Sequence, residues 1–226
     1  MKKKVISMLM CFALLFALTA CKEGKTGEEN GGAPCPIEGL EWGMTVDECL
    51  AALSLSEEDV EIQRDAGENA TKVTMNMELK DQKSFGYSIQ SARLILYEDF
   101  YGLPVGLHNV FVSFSPDTPV EDLQATVKNQ IGTYMKEDVN NPLAGSDSQR
   151  YNTQKTLADA DQSLVDKYFH WDEWWDIASK VPVEVPEKSD YPNGVLWVGK
   201  MSDQVFVGVD NTVATILEKA AEAEKK

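Results

Sequence analysis

The sequence has few of the side chains that carry out most protein chemistry. It contains two histidines, His108 and His170, among 226 residues. It has no Gly-x-Ser-x-Gly nucleophile motif, no glycine-rich phosphate loop and no ligand spacing typical of zinc or calcium sites. His108 follows a Gly/Pro-rich turn, where we expect a surface or edge position. The sequence therefore predicts no metal and no cofactor, and a hydrolase with an unrecognised site is the least favoured function.

Positive charge is also scarce. Lys and Arg number 21 against 37 Asp and Glu, which gives a net charge of −16. So acidic a surface repels phosphate backbones and anionic lipid headgroups. No cluster of basic residues interleaved with aromatics offsets that repulsion. We therefore exclude nucleic acid as a partner, and we expect no membrane contact other than an anchor.

No apolar run is long enough for an ordinary membrane span. The longest, Val5 to Ala20, has about 16 residues, whereas a spanning helix needs about 20. Three lysines, Lys2 to Lys4, precede it, and Leu18-Thr-Ala-Cys21 ends it. A charged start, an apolar centre and small residues at the end are typical of a removable export signal.

The box Leu18-Thr-Ala-Cys21 resembles the lipobox of bacterial lipoproteins. The resemblance implies a signal peptide at 1–20, lipid attachment to Cys21 and cleavage before it. Two or more acyl chains hold a protein on a bilayer stably. We therefore expect an exported protein anchored to the outer face of the cytoplasmic membrane, or to the outer membrane of a two-membrane cell. The alternative is an uncleaved N-terminal anchor.

Residues 21–36 have no apolar periodicity, so we expect a flexible tether of about 20 Å average reach. Removal of the signal takes away three lysines and no acid, which leaves a mature net charge of about −19. Two cysteines remain beyond Cys21, namely Cys35 and Cys49. Because exported thiols can persist as disulfides, we predict a Cys35–Cys49 bond. The alternative is two reduced thiols, with Cys49 packed as a small apolar side chain.

Residues 37–226 should form one α+β domain, a mostly antiparallel sheet with helices packed on one face. The alternative is two subdomains that meet near 135–152. Thr45-x-x-Glu48 and Thr118-x-x-Glu121 are typical of capping boxes that begin helices. Two such boxes suggest an internal repeat, but the segments that follow them differ, which argues against one.

Alternating apolar residues predict strands between the two helices, with a bulge near Ser91. We expect a loop over 140–151, a helix over 153–177, a hairpin over 195–209 and a C-terminal helix. The first helix and its meander, residues 39–114 with Gly43-Met-Thr-x-x-Glu48, are similar to outer-membrane-assembly lipoproteins and the β-lactamase-inhibitor-like fold. That resemblance implies a protein-binding module rather than an enzyme.

Four aromatic side chains occur within eight residues, which is the most unusual local composition of the chain. They are Tyr168, Trp171, Trp174 and Trp175. Exposed aromatic patches mark binding sites, so the cluster is a candidate contact surface. The alternative is core packing, because Trp171 and Trp175 share a helical face. We predict a non-enzymatic interaction module that contacts an envelope protein; the alternative is a lipoprotein that binds a solute or glycan.

Overall fold

The computed structural model describes residues 32–140, 143, 145–170 and 188–225. These residues contain a sheet of nine strands and four α-helices. The strands are β1 Glu61–Ala66, β2 Ala70–Glu78, β3 Lys83–Ser84, β4 Tyr87–Phe100, β5 Gly106–Phe114, β6 Met135–Glu137, β7 Asp147–Thr153, β8 Val195–Met201 and β9 Gln204–Asp210. The helices are α1 Val46–Leu53, α2 Val120–Ile131, α3 Gln162–Tyr168 and α4 Thr212–Ala223. The predicted α+β class with a mostly antiparallel sheet is confirmed.

Strand order shows how the chain is organised. The sheet runs β1-β2-β4-β5-β9-β8-β7-β6, with the short β3 paired to β4. Each half has a helix followed by four strands that pair in chain order, apart from the short β3 in the first half and the connection with α3 between β7 and β8 in the second. The last strands of the halves, β5 and β9, pair antiparallel. This is the order of two units related by an approximate twofold axis between β5 and β9. The order of elements thus repeats, contrary to expectation, and the two halves of that order meet at residues 115–119, between β5 and α2.

The main core lies between one face of the sheet and helices α1 and α2. The predicted capping box at Thr45 forms, and the helix buries Val46, Cys49, Leu50 and Leu53. Helix α2 contributes Leu123, Val127 and Ile131 to the same core. The sheet contributes alternate residues from both halves, such as Met75, Leu94, Val112, Val198 and Val207. Because successive side chains of a strand point to opposite faces, the residues between these buried ones face away from α1 and α2.

A second, smaller core surrounds the turn between β4 and β5. It packs Phe100, Leu103 and Val105 against helices α3 and α4. Tyr168 of the predicted aromatic cluster is part of it and is buried. Trp171, Trp174 and Trp175 lie outside the described residues, as does Cys21.

Several local predictions differ from the structure. Strand β7 occupies part of the expected 140–151 loop, and the helix expected over 153–177 is represented by α3 alone among the described residues. Pro119, rather than Thr118, is the N-cap of α2, and no side chain caps that end. The bulge predicted near Ser91 is confirmed by a register shift between Ile89 and Ser91. The hairpin over β8 and β9 and the C-terminal helix are also confirmed.

Candidate functional site

One row of side chains crosses the sheet on the face turned away from α1 and α2. Strand pairing aligns its members directly: Arg93 on β4, Phe111 on β5, Gly208 on β9, Trp197 on β8 and Arg150 on β7. Residues that face each other across a ladder share one face of the sheet. Five strands at about 4.8 Å spacing give this transverse row a length of about 19 Å. The row therefore has an arginine at each end and aromatic rings about a glycine at its centre.

The glycine allows the two rings to approach each other. A Cβ at position 208 would lie 3.1 Å from Phe111 Cδ2 and 3.7 Å from Trp197 Cε3. Phe111 also stacks on Phe206, with ring centroids 5.1 Å apart and planes 16° apart. Phe206 is fully buried, whereas Phe111 and Trp197 are partly exposed. The centre of the row is thus an apolar surface with a buried ring for support.

Arg150 is fixed and neutralised at its end of the row. Its guanidinium lies 5.7 Å from the Trp197 ring centroid and 3.8 Å from Asp138 Oδ2. Its Nε donates to Asn152 Oδ1 at 3.0 Å, and Asn152 Nδ2 donates to Asp138 Oδ2 at 3.1 Å. The arginine and Asp138 are each less than one-fifth exposed. These contacts hold Arg150 in one geometry over the indole.

Arg93 is placed differently at the other end. Its Nε donates to Asn76 Oδ1 at 2.9 Å, and Asn76 is its partner across the β2–β4 ladder. The side chain is exposed, and none of the ion pairs of the described chain includes it. It lines an open groove of about 580 Å³, here called the Arg93 groove. Its lining also includes Asp59, Asn76, Glu78, Phe111, Ser113 and Gln204.

His108 is buried, contrary to the expected surface or edge position. A register shift beside it, between Ile95 and Leu96, turns its ring to stack on Tyr97 at 4.4 Å. Nδ1 lies 2.7 Å from Thr212 Oγ1, whose hydroxyl donates to Asp210 Oδ1 at 2.6 Å. Because the Thr212 hydroxyl proton is donated to Asp210, His108 Nδ1 carries the hydrogen and donates it to Thr212 Oγ1. Nε2 is then a buried acceptor without a partner in the described chain. Burial lowers the pKa of His108 to about 3, and the ring offers solvent no base.

The two cysteines are free thiols in the structure, which thus describes the reduced form of the predicted pair. Cys49 is buried in the main core, and the partly exposed Cys35 packs against that core. Burial raises the pKa of each thiol to about 12. Neither is therefore an activated nucleophile.

The described residues hold no group of three or more His, Cys, Asp or Glu side chains that could bind a metal ion. Within the same residues, no helix is both long enough and apolar enough to cross a bilayer. No family model, curated protein or solved structure matches this chain.

Sequence reasoning did not find the transverse row. Its members are drawn from five strands, so positions 93, 111, 150, 197 and 208 have no pattern along the chain. Phe111 and Trp197 each sit between apolar residues that face the core, and the alternation alone predicts only that they face the other way. The register of strands that lie far apart in sequence, such as β5 with β9, is what brings them together.

Proposed function

We propose that this protein is an exported, lipid-anchored interaction module that binds an envelope protein without catalysing a reaction. The observation that carries the proposal is the transverse row, in which two arginines flank two aromatic rings on a sheet face free of α1 and α2. Arginine and the large aromatics are enriched where binding energy concentrates in interfaces. The row offers them together over about 19 Å.

Charge indicates the chemistry of the partner. The chain carries a net charge of −16, so it repels most acidic surfaces at a distance. At one end of the row Asp138 neutralises Arg150, so the positive charge that remains without a carboxylate beside it is that of Arg93 at the other end. A protein segment that lays an apolar side chain on Phe111 and Trp197 and brings an acidic group to Arg93 would complement this surface. We therefore take an acidic loop on an envelope protein as the occupant.

Site-specific photo-cross-linking in intact cells tests this proposal. A photoreactive phenylalanine analogue at Phe111 should give one discrete product with a protein partner. The same analogue at Val139, which is 76% exposed, should not. Conversion of Trp197 to Ala should remove the Phe111 product while the protein stays folded. Equal products from both positions, or none from Phe111, would refute docking on the row.

The lipid anchor is proposed on the lipobox at Leu18–Cys21. The native chain should incorporate labelled palmitate and fractionate with membranes, and Cys21→Ala should incorporate none. A matched Cys11→Ala change lies inside the predicted signal and should leave labelling unaltered. Label retained by Cys21→Ala would show that Cys21 is not the lipidated residue.

A second candidate is a solute- or glycan-binding lipoprotein. The Arg93 groove favours it, because the amides of Asn76 and Gln204 lie in one groove with the ring of Phe111. Sugar rings are bound by stacking on such rings and by hydrogen bonds from planar polar groups. A saturable change in tryptophan fluorescence with a sugar, lost in Trp197→Phe, would favour this function over protein binding.

A further inference from the structure

The three arginines of the chain differ in the groups that accept their hydrogen bonds and balance their charge. Arg64 Nε lies 3.0 Å from Glu98 Oε1, and Arg150 lies beside Asp138. Arg93 is bound by the neutral amide of Asn76 through Nε alone. Its four terminal N–H groups have no acceptor within the described chain. In a protein with 37 acidic residues, a guanidinium without a carboxylate is the exception.

The acidic residues beside the Arg93 groove are already engaged. Asp59 Oδ2 accepts the backbone N–H and the hydroxyl of Ser56, at 2.9 and 2.6 Å. Glu78 lies 3.1 Å from Lys80 Nζ. Neither carboxylate lies within ion-pair distance of Arg93, so the arginine faces the open groove without an acidic partner in the described chain.

A second donor lines the groove on β5, the strand next to that of Arg93. Ser113 is 5% exposed, and its Oγ accepts from Gln204 Nε2 at 2.6 Å. Its own hydroxyl proton has no acceptor among the residues that the structure describes. A buried donor is worth most when an anion accepts from it. The groove thus combines an unpaired guanidinium with an unused hydroxyl.

We propose that the Arg93 groove is the subsite of the transverse row that takes a carboxylate side chain of the protein partner. The inference rests on the proposed function and names the group that the partner must supply. A carboxylate matches the fork of two parallel terminal N–H groups, and its single charge matches a single guanidinium. A dianionic phosphate meets the same fork, but the acidic surface around it repels two charges more strongly than one.

Arginine side-chain NMR tests the subsite without knowledge of the partner. Three arginines give three Nε–Hε signals, which Arg→Gln variants assign. N-acetylglutamate amide should shift the Arg93 signal saturably and leave those of Arg64 and Arg150 in place. N-acetylglutamine amide is the matched neutral probe and should shift none. Equal shifts for all three arginines, or an equal response to the neutral probe, would overturn the subsite. Binding of inorganic phosphate that is stronger than binding of the glutamate probe would show a general anion site instead of a carboxylate subsite.

The cross-linked partner provides the second test. Arg93→Gln should weaken its binding about 10- to 100-fold, as the loss of hydrogen bonds to a charged group predicts. Arg93→Lys should restore only part of the affinity, because an ammonium lacks the fork. Arg64→Gln makes the same chemical change at an arginine that already has Glu98, and should leave binding unaltered. If Trp197→Ala loses binding while Arg93→Gln binds fully, the carboxylate subsite is overturned and the proposed function is retained. If both variants still bind the partner, the subsite and the proposed function are both overturned.

Discussion

At the scale of single residues, the buried ring of His108 makes stability depend on pH. Burial is the main cause of its low pKa, and the positive charge of Lys72 lowers it further. The unfolded chain takes up the proton near pH 6.5, whereas the folded chain resists it until about pH 3. The contribution of His108 is therefore fully present above pH 6.5 and is lost as the pH falls toward 3.

We predict that the free energy of unfolding falls by about 2 kcal/mol between pH 7.5 and pH 5 through this group alone. Urea unfolding at both pH values measures the change. His108→Gln should lower stability at pH 7.5 but reduce the difference between the two pH values. His170→Gln replaces the exposed histidine and should leave the difference as in the native chain.

Asp210 is the acidic group that accepts from Thr212 beside His108, and its effect on the pH dependence of stability has the opposite sign. Burial raises its pKa, against the hydrogen bonds from Thr212 that lower it. Its charged form is therefore disfavoured in the folded chain, and the free energy of unfolding rises again as the pH falls through the folded pKa of Asp210.

If the native protein and His108→Gln show the same difference in the free energy of unfolding between pH 7.5 and pH 5, His108 does not carry the effect.

At the scale of elements, two similar sequence boxes give different helix starts. Thr45 accepts from the Glu48 N–H at 3.3 Å, and Glu48 Oε2 accepts from the Thr45 N–H at 2.8 Å. At the start of α2 no side chain makes such a bond. Proline at 119 has a fixed φ and no N–H, and the helix begins after it at Val120.

We predict that Thr45→Ala lowers the free energy of unfolding by about 1 kcal/mol, as the loss of an N-cap does. Thr118→Ala makes the same change in the box that does not form, and should cost less than about 0.5 kcal/mol. Urea unfolding at neutral pH compares the two. Equal losses would mean that Thr118 caps α2 in solution.

The disulfide between Cys35 and Cys49 remains a prediction, since the structure describes the reduced thiols. It would join the end of the tether to α1 through a loop that stabilises by about 3 kcal/mol. If the protein is exported, the native chain denatured without reductant should accept no alkyl group at either position, as intact mass will show. Two added alkyl groups would contradict the bond.

Sequence patterns predicted those elements in which buried residues recur at a regular spacing. Strand β2 alternates buried and partly exposed residues from Val73 to Met77, which is the pattern expected of a half-buried strand. Strand β7 has the composition Asp-Ser-Gln-Arg-Tyr-Asn-Thr and resembles a loop. Pairing with β8 over six residues holds it in the sheet. Contacts made by distant neighbours, including the transverse row, leave no such local pattern.

At the scale of the whole molecule, the two halves of the sheet share one core. Residues of β2 and β4 pack in the same cluster as residues of β8, β9 and α2. The seam between the halves is a ladder of six pairs between β5 and β9. Although the topology repeats, neither half has a core of its own to bury.

We therefore predict a single cooperative unfolding transition. The calorimetric and van't Hoff enthalpies should agree, and circular dichroism and tryptophan fluorescence should give coincident transitions. Val207→Ala, at the seam, should lower the midpoint of the whole transition, with a loss of about 1 to 3 kcal/mol for a buried side chain. Two separate transitions would show that the halves fold independently.

The contact of Ala33 with the residue that follows β9 gives the sheet a direction. The N–H of Ala33 donates to Asn211 Oδ1 at 2.7 Å, directly beyond the end of β9. Gln204, which lines the Arg93 groove, starts the same strand. The seven residue steps from Gln204 to Asn211 span about 23 Å. If Cys21 is lipidated, the tether joins the sheet at the end opposite the groove, so a partner can reach the groove from the aqueous side without displacing lipid.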